Sequence, residues 1–208
     1  MNKIISRAII LLLISFSAYA QQNIEVAPVG IYKEIAVTEQ SKMIEKLTDS
    51  LSWKSAVLTV SQNPNKYSPP VLYVLSAMLF KNKKYDESMY WFYLAQLRGR
   101  YDANRCADAT ARQAVTILNN DFGPEINQYA FKHIDQLKAT IEKVVTFVQN
   151  NEELYDNRWI NLHGIDAMSK SLNGNSKNRE LSLPQKDWPK IKKQTVDNYY
   201  SDFKKYVK

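Results

Sequence analysis

The chain is poor in the residues that build covalent and metal frameworks: among 208 positions there are one cysteine and two histidines. That excludes an intramolecular disulfide, a zinc site built mainly from Cys and His, and most iron–sulfur arrangements. Glycine and proline are also scarce, at five and seven residues, which sets aside the collagenous and Pro/Gly-rich disordered classes. After residue 20 no run is long and apolar enough to span a bilayer. What remains is a globular composition, 45% hydrophobic and 24% charged, with a length that favours one domain carrying an appendage. No G-x-S-x-G, Walker A, H-E-x-x-H or EF-hand spacing occurs, so no cofactor and no metal is expected and no local motif argues for catalysis.

The first twenty residues set an expected address. Lys3 and Arg7 precede an uncharged run from Ala8 to Phe16, followed by Ala18-Tyr19-Ala20, which reads as a secretory signal peptide with an A-x-A cut site. A mature chain beginning near Gln21 is then expected in a bacterial periplasm, with secretion as the alternative. Without those residues, 26 basic side chains face 21 acidic ones, and the excess is uneven. From Lys170 to Lys208 ten basic residues stand against four acidic ones, whereas residues 21–169 are nearly neutral. Such asymmetry points to an acidic partner or an anionic surface. For an exported protein, nucleic acid is a poor target, and an acidic protein is preferred over contact with a membrane surface. The plainer reading is a solvated helix face.

From Thr38, the residues Met43, Ile44, Leu47 and Leu51 recur at three- and four-residue intervals, predicting an amphipathic helix. Asn63-Pro64 and Ser68-Pro69-Pro70 close that region. Val71 to Phe80 predicts a helix, Lys81 to Lys84 a polar turn, and Tyr85 to Leu97 a second helix. Ser76, Leu79, Ser88, Trp91, Phe92, Ala95 and Gly99 fall at the spacings of a helical hairpin, with small residues for close approach and large ones between. This unit, about residues 69–99, resembles a tetratricopeptide (TPR) or Sel1-type repeat. Ser76, Ser88 and Ala95 stand where that pattern wants small residues, Leu79 where it wants Tyr, Trp91-Phe92 match the aromatic pair of Sel1-like repeats, and Gly99 matches their closing glycine. No second copy follows at a period of about 34 to 45 residues. The resemblance implies a scaffold that binds peptides or proteins and names no residue as functional.

A small-residue helix is predicted from about Asp102 to Asn119, with Cys106, Ala107, Thr110, Ala111, Ala114, Ile117 and Leu118 inward. Asn119 to Pro124 is expected to stop it, and a long helix from Glu125 to Gln149 to follow. Cys106 reads as a small buried apolar residue rather than a reactive thiol. His133 reads as an exposed or satisfied residue within the long helix.

Acids, a base, a guanidinium and aromatics crowd together only between Glu152 and Asp166. One reading is a site in which Asp156 and Asp166 orient His163, Arg158 holds an anion, and Tyr155 and Trp159 wall the pocket. The other is a loop corner in which Asp156 caps the following turn and pairs with Arg158, and His163-Gly164 ends it. Residues 171–184 read as a linker or mobile loop and 185–208 as a basic amphipathic helix, appended to an all-helical domain at 21–170. The stripe of that last helix either completes the core or presents Trp188, Tyr199 and Tyr200 beside Lys192 and Lys204 to a partner.

These readings converge on an all-α protein of antiparallel hairpins, packed as a small TPR/Sel1-like bundle and acting by binding another protein. The concrete expectation is an immunity or inhibitor-type protein that neutralises a toxin or hydrolase. The alternatives are a periplasmic enzyme centred on His163, Asp156, Asp166 and Arg158, and an envelope assembly adaptor. Oligomeric state is not readable from the sequence.

Overall fold

A 21-residue helix, α4 (Tyr85–Arg105), lies at the centre of the computed structural model, which describes residues 28–173 and 180–207. Met89, Phe92, Leu94, Ala95 and Leu97 are all fully buried, so α4 has no apolar stripe opposed to a polar face. A helix of that kind has to be surrounded. It packs against α3 (Pro69–Lys81), α5 (Gln113–Lys132), α6 (Ile134–Asn150) and α8 (Trp188–Tyr206). Outside these, α1 (Thr38–Thr48) packs on α3, and α2 (Trp53–Gln62) on α1. The short α7 (Ile165–Asn173) lies against a 3-10 turn at Asn157–His163. The fold is all-α: among the described residues no strand forms, and β-pairing is confined to the isolated bridge Cys106–Ser182. The expected signal peptide at residues 1–20 lies outside the described residues.

The expected helical hairpin is α3–α4. Pro69 and Pro70 sit in the first turn of α3, where a missing N–H leaves no helical bond unmade. Lys83 takes a positive φ of 63° to turn the chain into α4. Across the hairpin the Ser88 hydroxyl donates to the Ser76 carbonyl at 2.8 Å, so the small residues mark the closest approach. Tyr73 meets Phe92 edge-on at 5.6 Å and fills the space beyond. At Gly99 both neighbours come near: an added Cβ would lie in ordinary contact with Val115 of α5 at 3.4 Å and Pro69 of α3 at 3.7 Å.

Three predicted boundaries move. The helix expected over 102–119 is two helices, because α4 ends at Arg105 and Asp108 starts a 3-10 turn by accepting from the Thr110 amide (2.9 Å) and hydroxyl (2.6 Å). Cys106 is buried as expected but sits in extended backbone, and Ile117, expected inward, is exposed. The expected stop at Asn119–Pro124 is absent: α5 runs through Pro124. Burial of Ala114 and Val115 before it and Ile126 and Ala130 after it ties both halves to one core and offsets the lost backbone bond. The break falls instead at His133, which has φ −126° and ψ 59°. Its Nδ1 lies 2.8 Å from the Tyr129 carbonyl, the acceptor its own N–H would use in a continuous helix, and that N–H goes to Ala130. Leu51, expected in the stripe of α1, falls in the following turn and is exposed.

The expected linker is partly structural. Residues 171–173 end α7, and 174–179 lie outside the described residues. Residues 181–183 dock as an extended piece: the Ala107 amide donates to Leu181 O at 3.2 Å and the Leu183 amide to Arg105 O at 2.8 Å. They lead into α8, whose Val196 and Tyr199 are buried in the main core. The C-terminal stripe therefore completes the bundle.

Candidate functional site

Asp102 is fully buried in the last turns of α4 and is a hub the sequence did not announce. Its Oδ2 accepts from the Trp159 indole N–H at 2.7 Å and the Tyr155 hydroxyl at 2.9 Å. Its Oδ1 accepts from the Arg105 guanidinium at 2.6 Å. Burial pushes the Asp102 carboxyl up, and burial likewise works against the charge on Arg105, yet Asp102 holds Arg105 above its usual value. With three donors converging on the carboxylate, the ionised pair is the state this geometry fits. Burial also raises Tyr155 well above the ordinary phenol, which keeps its proton on the donating oxygen. Tyr155 and Trp159, read from the sequence as pocket walls, are thus buried rings whose polar ends are engaged by Asp102.

A second cluster joins four segments. Arg98, fully buried, donates to Pro64 O at 2.7 Å and to Asn65 Oδ1. Its Nε lies 4.0 Å from Glu153 Oε1. Lys192 donates to Asn151 O at 2.6 Å and pairs with Glu153 at 3.3 Å. The predicted interface residues on α8 divide accordingly. Lys192 clamps the 151–153 segment, and Tyr199 is buried and donates to Gln96 at 2.8 Å. Trp188 stacks under Arg105 at 4.7 Å and donates to Leu183 O. Tyr200 is half-buried with Lys204 over its ring at 4.3 Å, and Lys204 alone among the five is exposed. Lys193 and Lys205 are paired with Asp197 and Asp202 on their own helix, so the α8 surface is less positive than its composition.

The crowded segment folds as the corner. Asp156 accepts from the Arg158 amide at 3.0 Å, the Arg158 guanidinium at 2.7 and 2.9 Å, and the Ala36 amide at 2.9 Å. Against desolvation, those contacts hold Asp156 below the usual carboxylate range. The Asp166 amide reaches the Asp108 carboxylate at 3.4 Å. His163 is exposed and meets Trp159 edge-on at 5.8 Å, and partial desolvation lowers its pKa. It opens onto a groove of about 740 Å³ with Ile44, Pro70 and Leu162, whereas Arg158 lines a different cavity of about 750 Å³ beside Trp188. The geometry brings Asp156 to Arg158 and engages Asp156 there, away from His163. Among the described residues, no group of three or more His, Cys, Asp or Glu is placed to hold a metal ion.

The conspicuous exposed feature is α7. Ile165, Met168 and Leu172 are 60%, 57% and 70% exposed, and their three- and four-residue steps place them on one side of the helix. Ala167 is the buried contact of α7 and meets Tyr32, Ile35 and Leu181. The sequence signal was available, in apolar residues at helical spacing after a glycine, but it also fits a buried stripe.

Fold and site together define an all-α protein knit by buried ion pairs, with one amphipathic helix turned apolar side outward. No protein-family model matches the chain, and no solved structure matches it. It is 28% identical over 129 residues to an uncharacterized protein of Haemophilus influenzae. That match covers 61% of this chain and 48% of the relative, so it spans about half the relative's length.

Proposed function

We propose that this chain is an exported helical protein-binding module, built on a TPR/Sel1-like hairpin, and most concretely an immunity or inhibitor-type protein that neutralises a toxin or hydrolase. The observation that carries the reading is the outward stripe Ile165, Met168 and Leu172 on α7. Three large apolar side chains side by side on a well-formed helix are unfavourable in water unless a partner covers them. The partner's contact surface is apolar with an acidic rim. Support for the rim comes from charge: Asp102–Arg105 and Arg98–Glu153 cancel inside the protein, which leaves the net basic excess of the chain at its surface. Export rests on the signal-like residues 1–20.

The test is affinity capture from a bacterial envelope fraction with the chain lacking residues 1–20, comparing wild type, Ile165→Asp/Leu172→Asp and, as a control on α2, Leu58→Asp. The reading predicts one stoichiometric protein partner, lost with the α7 pair and kept with the control, whose activity falls at equimolar addition. Equal capture by all three chains contradicts it.

A further inference from the structure

From Trp91 to Arg105, each residue of α4 is buried except Gln96, Arg100 and Asn104. Their four-residue spacing sets them in one line along the helix, about 12 Å from end to end at about 1.5 Å per residue. Gln96 donates to Asn119 of α5 at 3.0 Å and accepts from Tyr199 of α8 at 2.8 Å, and Asn104 donates to Thr195 of α8 at 2.8 Å. The line is the seam between α5 and α8, where the central helix reaches the surface.

The hydrogen bonds of this seam run in one sense. Three phenols donate into it: Tyr73 to Asn119 Oδ1 at 2.7 Å, Tyr93 to Asn127 Oδ1 at 2.9 Å, and Tyr199 to Gln96 Oε1. Burial raises all three phenols, which keeps the protons on the donating oxygens. Each amide thereby spends its oxygen inside the protein. Among the described residues, Nδ2 of Asn119 and Nδ2 of Asn127 have no partner, and Gln96 Nε2 uses one of its two hydrogens. Arg100 shares the line, with its guanidinium 5.0 Å from the centre of the Tyr199 ring and, among the described residues, no ion pair and no hydrogen bond. Asp202, an acid whose charge Arg100 reaches, is held by Lys205 at 2.9 Å.

Free donors around one uncommitted cation fit acceptor oxygens that carry a single negative charge. A carboxylate meets that description, whereas a phosphate dianion would leave its second charge without a partner. The buried phenols fix the amides in advance, which lowers the ordering cost of binding. One turn further along, Asn104 has its nitrogen engaged and its Oδ1 open, an acceptor for an N–H. A carboxylate with an N–H donor about 6 Å away is an acidic residue within a peptide.

We infer that the seam between α5 and α8 binds an acidic peptide segment, with a side-chain carboxylate on Arg100 and the Asn119 amide and a main-chain N–H on Asn104 Oδ1. The site does not use α7, so its failure and that of the α7 contact are read separately.

The test is a low-salt titration of the ¹⁵N-labelled full chain with the capped peptide Ac-Asp-Glu-Asp-NH2, following the Arg100 Nε–H and the side-chain amides of Asn119 and Gln96. Ac-Asn-Gln-Asn-NH2, acetate and inorganic phosphate are the comparison ligands. The expected result is a saturable shift with the acidic peptide, at a dissociation constant below about 5 mM and at least about tenfold tighter than for the other three. Arg100→Gln, at an exposed position, weakens binding by about tenfold or more, the loss expected for a hydrogen bond to a charged group. Asn119→Asp keeps the acceptor for Tyr73 and Gln96 and replaces the free amide donor by a carboxylate oxygen, so it weakens binding at least as much. Where Asn119→Asp does not fold, Arg100→Gln decides alone. Lys138→Gln, at an exposed position on α6, controls for net charge and leaves the affinity unchanged. The proposal is overturned by no saturable shift with the acidic peptide, by equal affinity for the neutral peptide, by a free ion binding as tightly, or by wild-type affinity in a folded seam variant.

Discussion

Trp159 donates its indole N–H to the Asp102 carboxylate at 2.7 Å across 57 residues of sequence, and that bond fixes the 157–163 turn to the end of α4. Trp159→Phe removes the donor and the second ring of the indole, which should lower stability by about 2–4 kcal/mol, a hydrogen bond to a charged group together with the cavity left at a buried position. Asp102→Ala strands Arg105 without its partner and should remove about 3–5 kcal/mol. Urea unfolding followed by far-UV circular dichroism measures both. A loss under about 0.5 kcal/mol for Asp102→Ala would mean the hub is not structural.

The C-terminal helix is predicted to behave as core. Tyr199→Phe leaves the Gln96 amide oxygen without its 2.8 Å donor and should cost about 1 kcal/mol. Ending the chain at Leu183 uncovers the main core where Val196 and Tyr199 cover it, and the truncated protein should lose cooperative unfolding and bind a hydrophobic dye. A truncated chain that unfolds cooperatively with an unchanged midpoint would show α8 to be an appendage.

Gly164→Ala should destabilise more than Gly123→Ala. A Cβ at Gly164 collides with the Asp108 carboxylate, which already caps Thr110 and accepts from Asp166. Relief requires breaking that turn, a loss on the order of 1–3 kcal/mol. At Gly123 the new Cβ lies 3.0 Å from the tip of Phe92, and about 1 kcal/mol of helix propensity offsets the crowding. The order of the two melting temperatures decides the point.

Cys106 should be inert while the protein is folded. Burial pushes its thiol up to about 11, so thiolate at pH 8 is on the order of 0.1%, and the side chain is enclosed against Asn161 Oδ1 at 3.2 Å. Labelling by a disulfide reagent at pH 8 should follow the global unfolding rate and become immediate in denaturant. Fast labelling under native conditions would contradict the burial.

The parts of this structure that were legible in the sequence are local ones. Ser76, Ser88 and Gly99 announced a close helical hairpin because small residues at helical spacing have few other uses in a long apolar stretch. The loop corner was legible in the same way, since Asp156 caps and pairs only two residues along the chain. Pro124 misled because burial on both sides of it outweighs a local preference, and His133 gave no warning because its ring replaces a backbone donor without Gly or Pro. Asp102 looked like one more polar residue near a helix end. Its local partner Arg105 is an ordinary i,i+3 neighbour, and the two that make it a hub, Tyr155 and Trp159, lie 53 and 57 residues away, beyond the reach of any local pattern. Lys192 and Tyr199 carried the right composition for an interface, yet the same long amphipathic side chains serve as clamps when a helix docks.

The central claim is that the outward stripe of α7 is a protein interface. Its most direct test is a photo-crosslinking residue in place of Met168, activated in intact cells expressing the full chain, with the same residue in place of the exposed Leu58 as control. The account predicts one adduct of defined mass from position 168 that identifies a single partner, disappears with Ile165→Asp/Leu172→Asp, and is absent from position 58. No adduct at 168 in folded, properly localised protein, or the same adducts from both positions, would contradict it.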